Sequence, residues 1–141
     1  MINTGGKMPP QAVELENAIL GALLLESDTI HQIIGKITPQ AFYATQNSII
    51  FNAIYSLYER KEPIDILTVT QELRKSAELE KVGGPHHIAK LSLICTSAAN
   101  IEYHAAIVNQ MYMMREIARI GANYVEKSFD KLDAFDLVAS F

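Results

Sequence analysis

Apolar side chains recur at every third or fourth position through most of the chain, which is the period of an α-helix, and no sustained alternation marks a strand. After Pro9 and Pro10, the residues Val13, Leu15, Ala18, Ile19, Ala22, Leu23 and Leu25 set this period and predict a first helix over 11–26. The prolines fit its first turn, where an N–H has no intrahelical partner to lose. Ser27 or Asp28 caps a predicted second helix through Ile37, with Ile30, Ile33, Ile34 and Ile37 as its inner stripe. Thr38-Pro39 reads as a cap followed by proline, a short turn that inserts Phe42. A third helix runs from Thr45 to about Lys61 on Ile49, Ile50, Ala53, Ile54, Leu57 and Tyr58, and Pro63 stops it. Asp65 or Thr68 opens a fourth to about Lys75, with Ile66, Leu67, Val69 and Leu73 facing inward. The β-branched stretch 64–70 could be a strand, but it has no second strand to pair with. Gly83-Gly84 is a stop, and Pro85 restarts the chain as a fifth helix through about Cys95.

A sixth helix is predicted from Ser97 or Asn100 to about Phe129, with Gly121 as its sole breaker. At about 1.5 Å per residue, roughly 30 residues extend about 45 Å, more than a lobe with a ~13 Å radius of gyration covers. Its first half carries two apolar faces, Ile101, Ala105, Val108 and Tyr112 on one, and Tyr103, Ile107, Met111 and Met114 on the other. The first face turns polar at Arg115 and Arg119, whereas the second continues through Ile117, Ala118, Gly121, Tyr124 and Val125. Such a helix is buried at its start and protrudes at its end, where one coiled-coil-like seam still needs a partner. Asp133 caps a seventh helix over 134–141 that folds back and begins to cover the seam. The pattern breaks off there, as expected of a fragment of a longer protein. The fold class expected is therefore all-α: a compact lobe of about five helices plus a protruding long helix that begins a helical hairpin. In domain terms this is an arm over 1–9, a lobe over 10–109 and a hairpin over 110–141.

Composition removes several functions. Lys plus Arg is 12 against 16 for Asp plus Glu, a net charge of −4, whereas freestanding nucleic-acid binders draw affinity from Lys and Arg. No apolar run approaches the ~20 residues of a membrane span, the start lacks a signal-peptide core, and a single cysteine, Cys95, fits a reducing, cytoplasmic compartment. Gly5-Gly6-Lys7-Met8 lacks the earlier glycine and the following Ser or Thr of a phosphate-binding loop. The soft ligands His86, His87, Cys95 and His104 show no metal-site spacing, and Cys95 shares an apolar face with Leu91. Glu14 and Glu16 fall on first turns, where acids favour the helix dipole; Glu78 and Glu80 lie in a loop; Asp130, Asp133 and Asp136 flank a helix start. No catalytic residue, cofactor site or metal site is expected. The chemistry is that of a helical interaction module, and a freestanding helical nucleic-acid-binding protein is the alternative that the acidic balance disfavours.

Several short motifs point further. Pro-Pro-Gln (9–11), Glu-x-Glu-x-Ala-Ile-Leu-Gly-Ala-Leu-Leu-Leu (14–25), Ala-Phe-Tyr (41–43), Pro-Ile-Asp-x-Leu-Thr-Val (63–69), Glu-Leu-Glu-x-Val-Gly-Gly (78–84) and Ser-Ala-Ala-Asn-Ile-Glu-Tyr (97–103) occur in one order and spacing. Together they resemble the N-terminal domain of bacterial replicative DNA helicases, the DnaB family, over about residues 9–129. The resemblance implies a helical lobe and hairpin that pair, build the collar of a hexamer and dock the C-terminal domain of primase. It also implies that ATP, Mg²⁺ and most DNA contact belong to a RecA-type motor that follows the domain and is absent here. A helicase loader is a further candidate partner, and no membrane is involved. The dimer interface expected is Met114, Ile117, Ala118, Gly121, Tyr124 and Val125. The first helix, the helix after Gly83-Gly84 and the hairpin are the expected primase-facing surfaces, with Glu14 and His87 on the polar sides of their helices as contacts. The sequence departs from the family's common pattern at Pro85-His86-His87 and at Thr96.

Overall fold

A computed structural model describes residues 8–94, 97–130 and 134–140, and among them helix is the sole extended regular element. Six α-helices follow one another: α1 (Val13–Leu25), α2 (Thr45–Glu59), α3 (Ile66–Lys75), α4 (Gly84–Ile94), α5 (Ile101–Phe129) and α6 (Ala134–Ala139). Three 3₁₀ turns, Ser27–Gln32, Pro39–Ala41 and Glu80–Val82, join them. The chain divides into two units, a lobe over Gln11–Tyr112 and a second unit that gathers Met113–Phe141 with the N-terminal residues up to Pro10. Cys95, Thr96, Asp133 and residues 1–7, hence most of the expected arm, lie outside the described residues.

The lobe is built around α1. Residues 18–25 are apolar on nearly every side, and a helix of that kind is stable only when enclosed. Ile19, Leu20 and Leu23 are fully buried, and α1 packs against both α4 and α2. Leu25, at its end, turns outward. Ile50, Phe51, Ile54 and Leu57 of α2, Val69 and Leu73 of α3, and Ile88 and Leu91 of α4 complete one core. Phe42 is buried as its turn requires and stacks on Phe51 with ring centroids 4.8 Å apart. Ile101, Ala105 and Val108 bring the first turns of α5 into the same core.

Several sequence expectations need correction. The second helix through Ile37 is instead a 3₁₀ turn ending at Gln32, followed by Gly35 at φ +79°, a left-handed conformation that ends a helix. Ile30, Ile33 and Ile37 are nonetheless buried, Ile30 from within the turn and the other two from the segment after it, where Ile34 and Ile37 form an isolated β-bridge. Proline does not open α1: the helix starts at Val13, whose N–H is met by the Gln11 side-chain oxygen at 3.2 Å. Leu67 is 77% exposed, and Thr70 takes the inner position on α3. Glu80 sits in a 3₁₀ turn rather than an open loop. Tyr103, on the second apolar face of α5, is exposed.

Helix ends show which residues set the boundaries. Asp65 accepts from the Thr68 N–H at 2.8 Å while Thr68 Oγ1 accepts from the Asp65 N–H at 2.9 Å, a reciprocal cap that starts α3. Helices α2 and α3 both close with a left-handed residue after the last turn, Lys61 and Ala77, each at φ +60°. The following N–H groups reach back, Glu62 to the Leu57 carbonyl and Glu78 to the Leu73 carbonyl, both at 2.9 Å. A side chain in that conformation costs about 1–2 kcal/mol, which glycine avoids at an entropic cost of about 0.5–1 kcal/mol. Ala77 is exposed, so its methyl group contributes no packing. Ala77→Gly is therefore expected to stabilise the lobe by roughly 0.5–1 kcal/mol, read as a higher urea midpoint at unchanged slope. A lower midpoint would show that the closing turn is not strained.

Candidate interaction surfaces

From Met113 onward no residue of α5 is fully buried. The successive turns place Met114, Ile117, Ala118, Gly121, Tyr124 and Val125 within one arc of about 120°. Ile117 is 69% exposed and Val125 60%. A Cβ added to Gly121 would meet nothing within 4 Å.

The polar side of this helix is ordered by its own charges. Arg119 grips Glu116 through Nε at 3.2 Å and Nη2 at 2.8 Å. That hydrogen bond holds the Glu116 carboxyl below the usual carboxylate range, against a weaker desolvation effect. Arg115 donates to the Pro10 carbonyl at 2.8 Å and fastens the N-terminal segment to α5. Helix α6 meets α5 where the Tyr124 hydroxyl donates to the Ser140 carbonyl, and Lys127 lies 5.7 Å from the Tyr124 ring centre. Ile117, Gly121 and Val125 remain exposed, as do Phe135 and Val138 of α6 itself.

The two lobe candidates differ in surroundings. Glu14 is exposed on the first turn of α1. His87 is half-buried rather than on a polar face: its Cβ lies 3.0 Å from where a Gly83 side chain would begin, so Gly83, at φ +99°, makes room for it. Its Nε2 is enclosed without a hydrogen-bond partner among the described residues. The outward histidine of the pair is His86, which the sequence offered as a soft ligand but not as a contact.

Glu16, two residues beyond Glu14, is a larger surprise. It is 1% exposed, and its carboxylate accepts from the Tyr43 N–H at 2.7 Å, the Ala44 N–H at 3.2 Å and Asn47 Nδ2 at 3.1 Å. The same Asn47 amide donates to Asn17 Oδ1 at 2.9 Å. Glu16 is an acid in the first turn of α1, as expected, and its carboxylate also gathers the N–H groups that lead into α2. An acid flanked by apolar positions was the available signal, but its partners lie 27 or more residues away.

Elsewhere, an open groove of about 390 Å³ lies between the Ser27–Gln32 turn and the connection after α2. His31 and Tyr58, edge-on with centroids 5.7 Å apart, form one wall. Among the described residues no group of three or more His, Cys, Asp or Glu side chains could hold a metal ion, and no helix is long and apolar enough to cross a membrane.

The fold and its surfaces define an all-α domain with an exposed apolar helix face. Residues 8–110 match the family model of the DnaB-like helicase N-terminal domain, and the chain belongs to that family. It is 42% identical over 134 residues to the replicative DNA helicase DnaB of Rhodothermus marinus, covering 94% of this chain and 14% of that protein. The crystal structure of the DnaB helicase N-terminal domain from Mycobacterium tuberculosis superposes with a TM-score of 0.89 at 30% identity, over 94% of each chain. The N-terminal domain of Helicobacter pylori DnaB, described together with its interactions with primase, shares the fold with a TM-score of 0.71 at 18% identity, over 82% of this chain and 90% of that one. What the chain matches is the N-terminal, non-motor domain of a replicative helicase.

Proposed function

We propose that the chain is the assembly and docking domain of a hexameric replicative helicase, acting in the cytoplasm during DNA replication. Copies pair through Met114, Ile117, Ala118, Gly121, Tyr124 and Val125, pairs build the collar of the hexamer, and the collar docks the C-terminal domain of primase. ATP, Mg²⁺, strand unwinding and most contact with DNA belong to a motor domain, and a helicase loader is a further partner of the assembled ring. The observation that carries the reading is the exposed seam of α5, in a family whose members form part of replicative helicases. Contiguous apolar surface in water is unfavourable by roughly 25 cal/mol per Å², so a second copy is its economical cover.

Ile117→Asp puts a charge into that seam, where burial without a partner is costly. It is expected to leave the helical content intact and weaken self-association at least tenfold, about 1.4 kcal/mol, by sedimentation across micromolar concentrations. An unchanged association constant would remove the seam from the interface.

Docking of primase draws support from the Helicobacter pylori relative, whose structure was described with that partner. Glu14 and His87 are the proposed contacts on α1 and α4. Glu14→Lys is expected to weaken binding of a cognate primase C-terminal domain about 3–10-fold without lowering stability, since an exposed charge contributes up to about 1 kcal/mol and reversal adds repulsion. Calorimetric titration checks it. Unchanged affinity for Glu14→Lys and for His87→Gln would place the docking surface elsewhere.

A further inference from the structure

The groove between the Ser27–Gln32 turn and the connection after α2 belongs wholly to the lobe, and it uses none of the residues proposed above for pairing or for primase. Ile30 and Ile64, 2% and 8% exposed, form its floor. Three rings line it, His31 and Tyr58, set at 69° to one another, and Pro63. Its margins carry opposite charges, Asp28 on the side of the turn and Lys61 on the side of the connection. Among the described residues no hydrogen bond or ion pair engages the Asp28 carboxylate, the Lys61 ammonium or the Tyr58 hydroxyl.

The margin after α2 is held in place by the lobe itself. Lys61, at φ +60°, reverses the chain, the Glu62 N–H reaches back to the Leu57 carbonyl at 2.9 Å, and Arg60 fixes the Glu62 carboxylate at 3.0 Å. A preorganised wall lowers the ordering cost of binding.

The chemistry narrows the occupant. The groove is too open to enclose most of a small molecule, as cofactor pockets do. A docking helix needs a row of apolar anchors at i, i+3 or i+4 and i+7, spread over about 10 Å, and the floor offers only two side chains. Among the described residues there is no sheet edge to accept an added strand. Phosphorylated ligands call for an arginine cluster, and Arg60 is already taken up by Glu72 and Glu62. A polyproline-II segment fits what is left. Its prolines pack on aromatic and proline rings, and its carbonyls, free of internal hydrogen bonds, can accept from a tyrosine hydroxyl.

We propose that this groove binds a proline-rich segment of another protein in the polyproline-II conformation, with its prolines against Tyr58, His31 and Pro63, a basic residue beside Asp28 and an acidic residue beside Lys61. The two charges give the segment a direction in the groove, which the rings alone do not.

The test is a titration of the full chain, isotope-labelled and followed through its amide shifts by NMR, with the acetylated and amidated peptide Ala-Arg-Pro-Pro-Leu-Pro-Glu-Ala. Saturable shifts within 27–32 and 58–64 are expected, with a submillimolar Kd. Replacing the peptide's prolines by alanine should weaken binding at least about fivefold, because the free peptide loses its preset conformation. Asp28→Lys, at an exposed position, should weaken binding about 3–10-fold, and exchanging the peptide's arginine for glutamate should recover that loss on this variant alone. Equal affinity for the alanine peptide would overturn the polyproline assignment. Equal affinity of Asp28→Lys for both peptides would overturn the direction assigned from the charges. Shifts confined to other segments, or none at millimolar peptide, would overturn the site.

Discussion

Replacing Glu16 with alanine is expected to destabilise the lobe by about 2–4 kcal/mol, because it leaves three donors without their shared acceptor. Three donors converge on its carboxylate, the backbone N–H groups of Tyr43 and Ala44 and the Asn47 amide, and Asn47 is 2% exposed. The N-cap residue of α2, Ala44, supplies no side-chain cap of its own. Glu16→Gln keeps one acceptor but turns an amide toward N–H donors, so it should recover part of the loss and no more. Urea unfolding followed by circular dichroism measures both. A loss below about 1 kcal/mol for Glu16→Ala would mean that α2 begins without this cap.

Ile54→Ala should cost about 2–5 kcal/mol, the range for truncating a buried isoleucine when the surrounding side chains relax only in part. Ile54 is fully buried at mid-length in α2, among Ile50, Phe51 and Leu57 on the same face. Leu67→Ala is the matched control: at 77% exposure it should stay within about 0.5 kcal/mol. Equal effects at the two positions, in parallel denaturation curves, would show that the lobe is not held by this core.

The helical period revealed most of the fold because it reports which side of each helix is apolar, and α2 needs nothing more than that. It was weaker where local geometry decides. Gly35, at φ +79°, interrupts the second predicted helix, yet the isoleucines on either side of it fit one continuous stripe by count. Leu67 fits the stripe of α3 by count, but the Asp65–Thr68 cap sets the start of the helix and the phase that turns Leu67 outward. The surfaces were legible in the same uneven way. The seam of α5 follows from spacing on a single helix. Glu16 and His87 depend on what other segments bring against them, the first through a contact across 27 residues and the second through the left-handed turn at Gly83.

The two kinds of cap also bear on the order in which the lobe assembles. The Asp65–Thr68 box closes within one turn, so α3 can hold its first turn before anything else has packed. The first turn of α2 waits for α1, because its acceptor belongs to a residue far back in the chain. In native-state hydrogen exchange, the amides of Tyr43 and Ala44 should therefore open only with the lobe as a whole, while the Thr68 amide exchanges through local fraying. The beginning of α2 thereby reports global unfolding, although it sits at a helix end, where exchange is ordinarily fastest.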